Sequence, residues 1–396
     1  LSSAPLRRSM RIFVLLSRFP HPLDKGDRLR AFHQVAELSR RHEVVLCALA
    51  HEEVSDASRA AVSAICSRLE VIPLSRSGTA LGMARALVTG LPLQVGFFLS
   101  GRARRRVREL VAETAPDRLL FQLVRTAEYS RGLEEASAID LMDAFSWGLE
   151  QRARHSPSWL APFLRFEARR VARYEEDALR RFRRASVVTV QDREHLPRVS
   201  RGNVAVVGNG VDFDAFAPRD AAKEADLLFV GNMAYPPNVL AAETLVREVL
   251  PRVRAERPAR VLIAGTSPVA RVRRLAGDGV EVTGRVEDIA SCYARSRVFV
   301  APLTVATGLQ NKLLQALAMG IPCVTSEAAR RALGASENEM RSGRDAHEVA
   351  AAVLELLRDP LAAEELGRRG RAFALRDFRW PAAAEALERV VCAEAG

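Results

Sequence analysis

One lysine, Lys312, stands where a helix rarely keeps a cation. An apolar run at 298–301 leads through Thr304-Val305-Ala306-Thr307-Gly308-Leu309-Gln310-Asn311 into a stretch where Leu313, Leu314, Leu317 and Ala318 recur at helical spacing. Helix starts favour acidic residues, because the backbone dipole concentrates partial positive charge there. This start has none and carries Lys312 instead. Free N–H groups after Gly308 with a lysine beside them make a site for an anion, most simply a phosphate. The alternative for an isolated lysine is a side chain that snorkels into solvent. Asp143 follows directly after the apolar run 138–142, where a carboxylate can cap a strand end.

The elements that must position these groups are short apolar strands alternating with amphipathic helices. Residues 298–326 read as strand, loop, helix and strand, with Gly320 and Pro322 stopping the helix. The loop falls where the strand's carboxyl end meets the helix amino end, the ligand-binding edge of open α/β sheets. Gly231, Gly265 and Gly284 follow three other apolar runs, at 227–230, 261–264 and 280–283. Singly each is a tight turn; with Gly308 and Lys312 they favour a nucleotide-type ligand. The pattern predicts helices at 239–250, with Asn238 as N-cap, and at 289–294, 346–357, 361–373 and 381–391. Upstream it predicts strands at 11–17, 44–49, 69–73, 118–121, 138–142, 187–190 and 204–207, and helices at 28–40, 80–88, 101–112 and 160–182. The loop GNGVDFDAFAP at 208–218 reads as the link between halves. The fold class is therefore α/β, in two similar halves, residues 1–210 and 211–374.

The 396 residues exceed one ordinary core. Five scattered cysteines without CxxC or Cys/His spacing point to a reducing cytoplasm and away from zinc. No apolar run approaches a membrane span, and residues 1–9 read as a leader before the first strand. Residues 1–200 hold 33 Lys and Arg against 23 Asp and Glu, whereas the remainder is nearly balanced. Arginines cluster at 102–108, 165–173 and 180–184. Nucleic acid, an anionic membrane surface, a phosphorylated substrate, or plain solvated helix faces each account for such clusters. GxGxxG after the first strand, GxxxxGK[ST], GxSxG, HExxH and EF-hand patterns are all missing. That argues against dinucleotide oxidoreductases, P-loop NTPases and the common hydrolases.

The stretch VFVAPL…TGLQNKLLQALAMGIPCVTS resembles the donor-binding signature of the group 1 (family 4-type) glycosyltransferases, which have the two-Rossmann GT-B fold. VVGNGVDFDAF, LLFVGNMAYPPN, VLIAG, VTGRVEDIASCYARSRVFVAPL and the terminal FRWPAAAEALERV support it. FPHPLDKGDRLR, with GNMAYPPN and GLQNK, is similar to the branch associated with bacterial exopolysaccharide assembly. The resemblance implies transfer of a sugar from a UDP- or GDP-linked donor to an acceptor hydroxyl of a glycan, glycolipid or small molecule. It implies retention, no metal or other cofactor, and a helix at about 375–396 that packs back on the first domain. The donor would meet Gly231, Asn232, Gly265, Thr307, Gly308, Leu309, Asn311, Lys312 and Gln315, with its base near Arg285 and Val286. Thr307 and Gln315 stand where the family has two glutamates eight residues apart. The Gln315 amide keeps a grip on ribose hydroxyls; Thr307 departs further. The acceptor would lie against Lys25, Gly26 and Asp27 and near Asp143. Catalysis would fall to Asp143, Thr307 and Lys312. The basic first domain then serves an anionic acceptor or membrane face and not nucleic acid. Two rivals are a GT-B nucleotide-sugar epimerase and a non-enzymatic basic binding module.

Overall fold

The computed structural model describes residues 9–154, 156–196, 203–303 and 309–393. The chain divides into two compact units, Leu1–Gly208 with Trp380–Gly396, and Asn209–Arg379. The first unit holds a seven-stranded sheet: β1 (Arg11–Leu16), β2 (Glu43–Ala50), β3 (Arg68–Pro73), β4 (Arg118–Gln122), β5 (Ser137–Met142), β6 (Arg184–Val187) and β7 (Val204–Val206). All neighbours are parallel, in the order 3-2-1-4-5-6-7. Parallel sheets need helices on both faces, so their strands are apolar throughout. In β1, Phe13 and Leu15 face one cluster with Val107 and Leu110, while Ile12, Val14 and Leu16 face another with Val35 and Leu38. The helix Trp380–Cys392 belongs to this second face, where Leu387 and Val391 are fully buried. Its Trp380 ring stacks on His33 at 4.6 Å.

The second unit repeats the plan with β8 (Ala225–Val230), β9 (Val261–Ala264), β10 (Val280–Gly284), β11 (Ser296–Ala301), β12 (Cys323–Ser326) and β13 (Arg341–Gly343). These strands are also parallel, in the order 10-9-8-11-12-13. Strand order therefore reverses between β1 and β4 in one sheet and between β8 and β11 in the other. Those switch points are where such sheets open a ligand crevice.

Three local expectations shift. The strand expected at 187–190 is β6, three residues earlier. Arg184 enters the strand although charged, because its buried guanidinium donates to the carbonyls of Val391 (3.1 Å) and Glu135 (2.5 Å). Thr189 then caps a helix, Val190–His195, by accepting from the Asp192 N–H at 2.9 Å. The helix expected at 239 starts at Pro236, since proline's fixed φ suits a first turn. Asn238 is therefore not its N-cap but lies inside that turn, free for other work.

Candidate active site

Lys312 is the second residue of the helix Asn311–Ala318, next to the β8/β11 switch point. It does not snorkel outward. Its half-buried side chain sends Nζ to Asn238 Oδ1 at 2.6 Å and Gln310 Oε1 at 3.1 Å. Nζ also lies 5.6 Å from the centre of the Phe229 ring on β8. No carboxylate pairs with it among the described residues, and burial pushes its pKa down to about 7. The second turn partner is itself held in place, because Asn238 Nδ2 donates to the Asn232 carbonyl at 3.0 Å. Asn232 Oδ1 in turn accepts from the Ala234 N–H at 3.0 Å. A cation thus sits among neutral amide oxygens, desolvated and short of negative charge. Such a lysine gains most from a phosphate, which supplies both charge and acceptors.

The neighbouring elements close around this group. A Cβ on Gly265 (φ +140°) would lie 1.8 Å from the Gly231 carbonyl oxygen, so β8 and β9 end in direct backbone contact. Gly265 N–H donates to the Gly284 carbonyl at 3.0 Å, which ties the end of β10 to the same place. Buried Tyr293 Oη lies 3.1 Å from the Lys312 carbonyl oxygen and 3.2 Å from Gln315 Oε1. That contact occupies the Gln315 carbonyl and leaves its amide nitrogen as the group for a ligand. Asn311 Oδ1 accepts from Asn209 Nδ2 at 3.0 Å, and Leu309 packs on the core. Arg285 is exposed after β10 without an ion-pair partner among the described residues, and Val286 is half-buried. Thr307 and Gly308 lie outside the described residues.

In the first unit, Asp143 follows β5 and is half-buried. Its carboxyl makes no hydrogen bond or ion pair with another described residue. Burial first, then the Asp192 carboxylate, push its pKa up to about 7, against the pull of Arg125. Leu123 (φ 66°) after β4 and Met142 (φ 65°) at the end of β5 both hold left-handed backbone. Strain of that kind on bulky residues collects at functional sites. Arg125 reaches Gln94 Oε1 at 3.0 Å and lies 5.3 Å from the Phe98 ring centre. Its Nη1 is buried without a partner, and burial holds its pKa down to about 10. Arg18 pairs with Asp27 at 3.0 Å and shares the Phe98 ring at 5.9 Å. Asp27 and Asp143 thus share one electrostatic neighbourhood with Arg18 and Arg125. Lys25 is exposed, and its carbonyl accepts the Leu29 N–H at 2.9 Å as the helix Gly26–Leu38 begins.

Sequence reasoning missed Asn238 as Lys312's partner, and missed Arg18 and Arg125. It also missed the fully buried pair Arg30–Asp140, 2.7 Å apart, joined by Gln34 and Ser186. One signal was available: Asp140 interrupts the apolar run AIDLM, and a charge inside a buried strand needs a partner.

Residues 224–359 match the family described as Glycosyl transferases group 1. Over 204 residues the chain is 28% identical to the GDP-mannose-dependent alpha-(1-6)-phosphatidylinositol monomannoside mannosyltransferase of Mycobacterium tuberculosis. That alignment covers 45% of this chain and 53% of the mycobacterial protein, so the chain spans about half the length of the curated relatives it matches. Among solved structures, sucrose-phosphate synthase from Thermosynechococcus elongatus superposes with a TM-score of 0.70 at 17% identity, covering 96% of this chain and 98% of the other. Anabaena HepE in complex with UDP and glucose gives 0.65 at 12% identity, with 97% and 99% covered. At these identities the likeness is one of fold. Residues 224–359 are thus similar to the group 1 glycosyl transferases, within a chain of GT-B fold.

Proposed function

We propose that this chain is a glycosyltransferase that moves a sugar from a nucleotide-sugar donor to an acceptor hydroxyl. The observation that carries the reading is Lys312, a desolvated cation held by Asn238 and Gln310 at the switch point of a group 1 domain. The donor's diphosphate binds Lys312 and the helix amino end, and its ribose meets the Gln315 amide. Its base, of a UDP- or GDP-linked sugar, rests by Arg285 and Val286. Charge grows on the diphosphate as the sugar leaves, so a cation already stripped of water stabilises the transition state more than the ground state. Lys312 supplies the positive charge that a metal supplies elsewhere, and no cofactor is needed. The departing phosphate takes the acceptor's proton, and the sugar keeps its anomeric configuration.

The first unit takes the acceptor, with Asp27 and Lys25 binding and the Asp143 carboxyl hydrogen-bonding the attacking hydroxyl. The acceptor is a glycan, a glycolipid or a small alcohol in the assembly of exopolysaccharide or a related glycan, used on the cytoplasmic side of a membrane. No described helix is long and apolar enough to cross one.

A panel of nucleotide sugars tests this. A ligand at 100 times its Kd raises stability by about 2.7 kcal/mol, and at least one UDP- or GDP-sugar should raise the melting temperature accordingly. With a hydroxyl acceptor present, that donor should lose its sugar to the acceptor. Epimerised donor formed without any acceptor, or no stabilisation by any nucleotide sugar, would refute the reading.

A further inference from the structure

The arginine clusters of the first unit differ in their surroundings. Arg106 pairs with Glu70 at 3.0 Å and Glu113 at 2.9 Å. Arg180 pairs with Glu176 at 2.6 Å, Arg181 with Asp177 at 3.0 Å, and Arg184 is buried. Those charges are spent within the protein. The first half of the helix Ala161–Arg181 is different. Arg169 and Arg173 are exposed without an ion pair among the described residues, and Arg165 has only Glu150 at 3.9 Å. Between them on the same exposed face lie Phe163 and Phe166, with Trp159 just before the helix.

This face continues onto a second helix. Arg170 donates to the Ala86 carbonyl at 2.7 Å and to the Leu91 carbonyl, and Glu167 accepts the Leu93 N–H. The pair clamps the end of the helix Arg76–Thr89 beside Phe166, over whose ring the Arg170 guanidinium sits at 5.5 Å. That helix exposes Leu81, Leu87 and Val88 and carries exposed Arg76 and Arg85. Of these six large apolar residues the least exposed is Phe163 at 50%, and Val88 reaches 89%. That helix, Arg76–Thr89, carries no acidic residue. Scattered apolar residues need no explanation, but five on two clamped helices, with Trp159 beside them and a largely unpaired cationic fringe, do.

We propose that this face docks on an anionic lipid bilayer, with Trp159, Phe163, Phe166, Leu87 and Val88 entering the headgroup boundary and the arginines meeting lipid charge. The proposal rests on the transferase reading for its purpose, delivery of the first unit to a membrane-borne acceptor, and on the surface itself for its chemistry. Aromatic and apolar residues on one side of a helix, with arginines beside them, are what an interfacial helix presents to lipid. Each arginine held near such a surface strengthens binding about fivefold. The charge complementarity singles out the bilayer over a second copy of this equally basic chain.

Flotation of the purified chain with vesicles of equal phosphatidylglycerol and phosphatidylcholine tests it. The wild type should float with these vesicles, come off largely in high salt, and stay behind with phosphatidylcholine alone. Arg165→Gln/Arg169→Gln/Arg173→Gln should lower the partition about 100-fold. Phe163→Ser/Phe166→Ser, at exposed positions, should lower it at least tenfold. The indole emission should shift to the blue on vesicles in the wild type and not in Trp159→Phe. Wild-type partition in both multiple variants, or no shift from Trp159, would overturn the proposal. So would self-association or duplex-DNA binding abolished by the Phe163/Phe166 variant when vesicles bind nothing. Donor stabilisation measured on the same variants separates the two readings: vesicle binding lost with donor binding intact confirms this surface. Donor binding absent throughout sinks the transferase reading alone.

Discussion

On the proposed function, the depressed pKa of Lys312 makes donor binding a proton-linked event. Burial holds the ammonium near pKa 7 against an ordinary 10.5, and no described carboxylate offsets that burial. A bound diphosphate restores the ordinary value, so binding must take up a proton wherever the free lysine is neutral. At pH 7 about half of the free protein carries the charge, and at pH 9 about one part in a hundred. If the bound lysine stays protonated throughout, affinity should fall about 50-fold from pH 7 to pH 9, or about 2.3 kcal/mol. At pH 8 each binding event should take up roughly 0.9 proton. Tyr293 does not interfere, since burial holds its hydroxyl well above its usual range. A nucleotide sugar is the right probe because its diphosphate diester does not titrate in this window. Calorimetry in two buffers of different ionisation heat reads the proton count directly. The ligand-free protein gives a second reading. Its folded lysine pKa lies below the unfolded one, so the unfolded chain binds more protons between pH 7 and 10.5. Stability from this group must therefore rise with pH across that window. Lys312→Met should abolish both effects. Equal Kd at pH 7 and 9, with no proton uptake at pH 8, would refute the reasoning.

Three further outcomes are specific. Asn238→Ala removes the 2.6 Å acceptor of Lys312 and should raise the donor Kd about tenfold with little loss of fold, read by calorimetry. For Asp143→Asn, turnover should drop at least about 100-fold, and the wild-type limb with an apparent pKa near 7 should vanish from the pH profile of kcat at saturating donor, where the bound Lys312 no longer titrates near 7. The same substitution should change stability against pH. The folded carboxyl pKa lies above its unfolded value, so its contribution is present below pH 4 and is lost as pH rises through 7. Asp140→Ala should strand the fully buried Arg30 guanidinium and cost about 3–5 kcal/mol in chemical unfolding.

Much of the frame was legible because buried parallel strands write themselves as apolar runs. Residues 227–230, 261–264 and 298–301 needed no tertiary knowledge, and Gly231 and Gly265 marked the carboxyl edge of the first two. Lys312 was legible through an absence, the missing acids of a helix start. Its partner was not, because Asn238 lies 74 residues earlier and reads locally as a cap. Only the fold shows that Pro236 begins that helix and frees the asparagine to hold both Asn232 and Lys312. Arg184 shows the same limit in reverse. A charged residue reads as a loop until a carbonyl at the far end of the chain is found accepting from it. Charge clusters were legible as clusters, but the carboxylates that neutralise Arg106, Arg180 and Arg181 come partly from other elements. Hence the sequence could count the arginines without telling spent ones from free ones.

The central claim is that Lys312 binds the donor's diphosphate and stabilises it as the sugar leaves. Donor Kd and single-turnover transfer rate, measured side by side for the wild type and Lys312→Ala, test it most directly. A charge-assisted hydrogen bond of about 1.5–3 kcal/mol predicts a Kd raised about 10- to 150-fold. The transfer rate should fall further than binding does, and the ligand-free variant should melt no lower than the wild type. Wild-type Kd and rate in Lys312→Ala would place the diphosphate elsewhere and contradict the account.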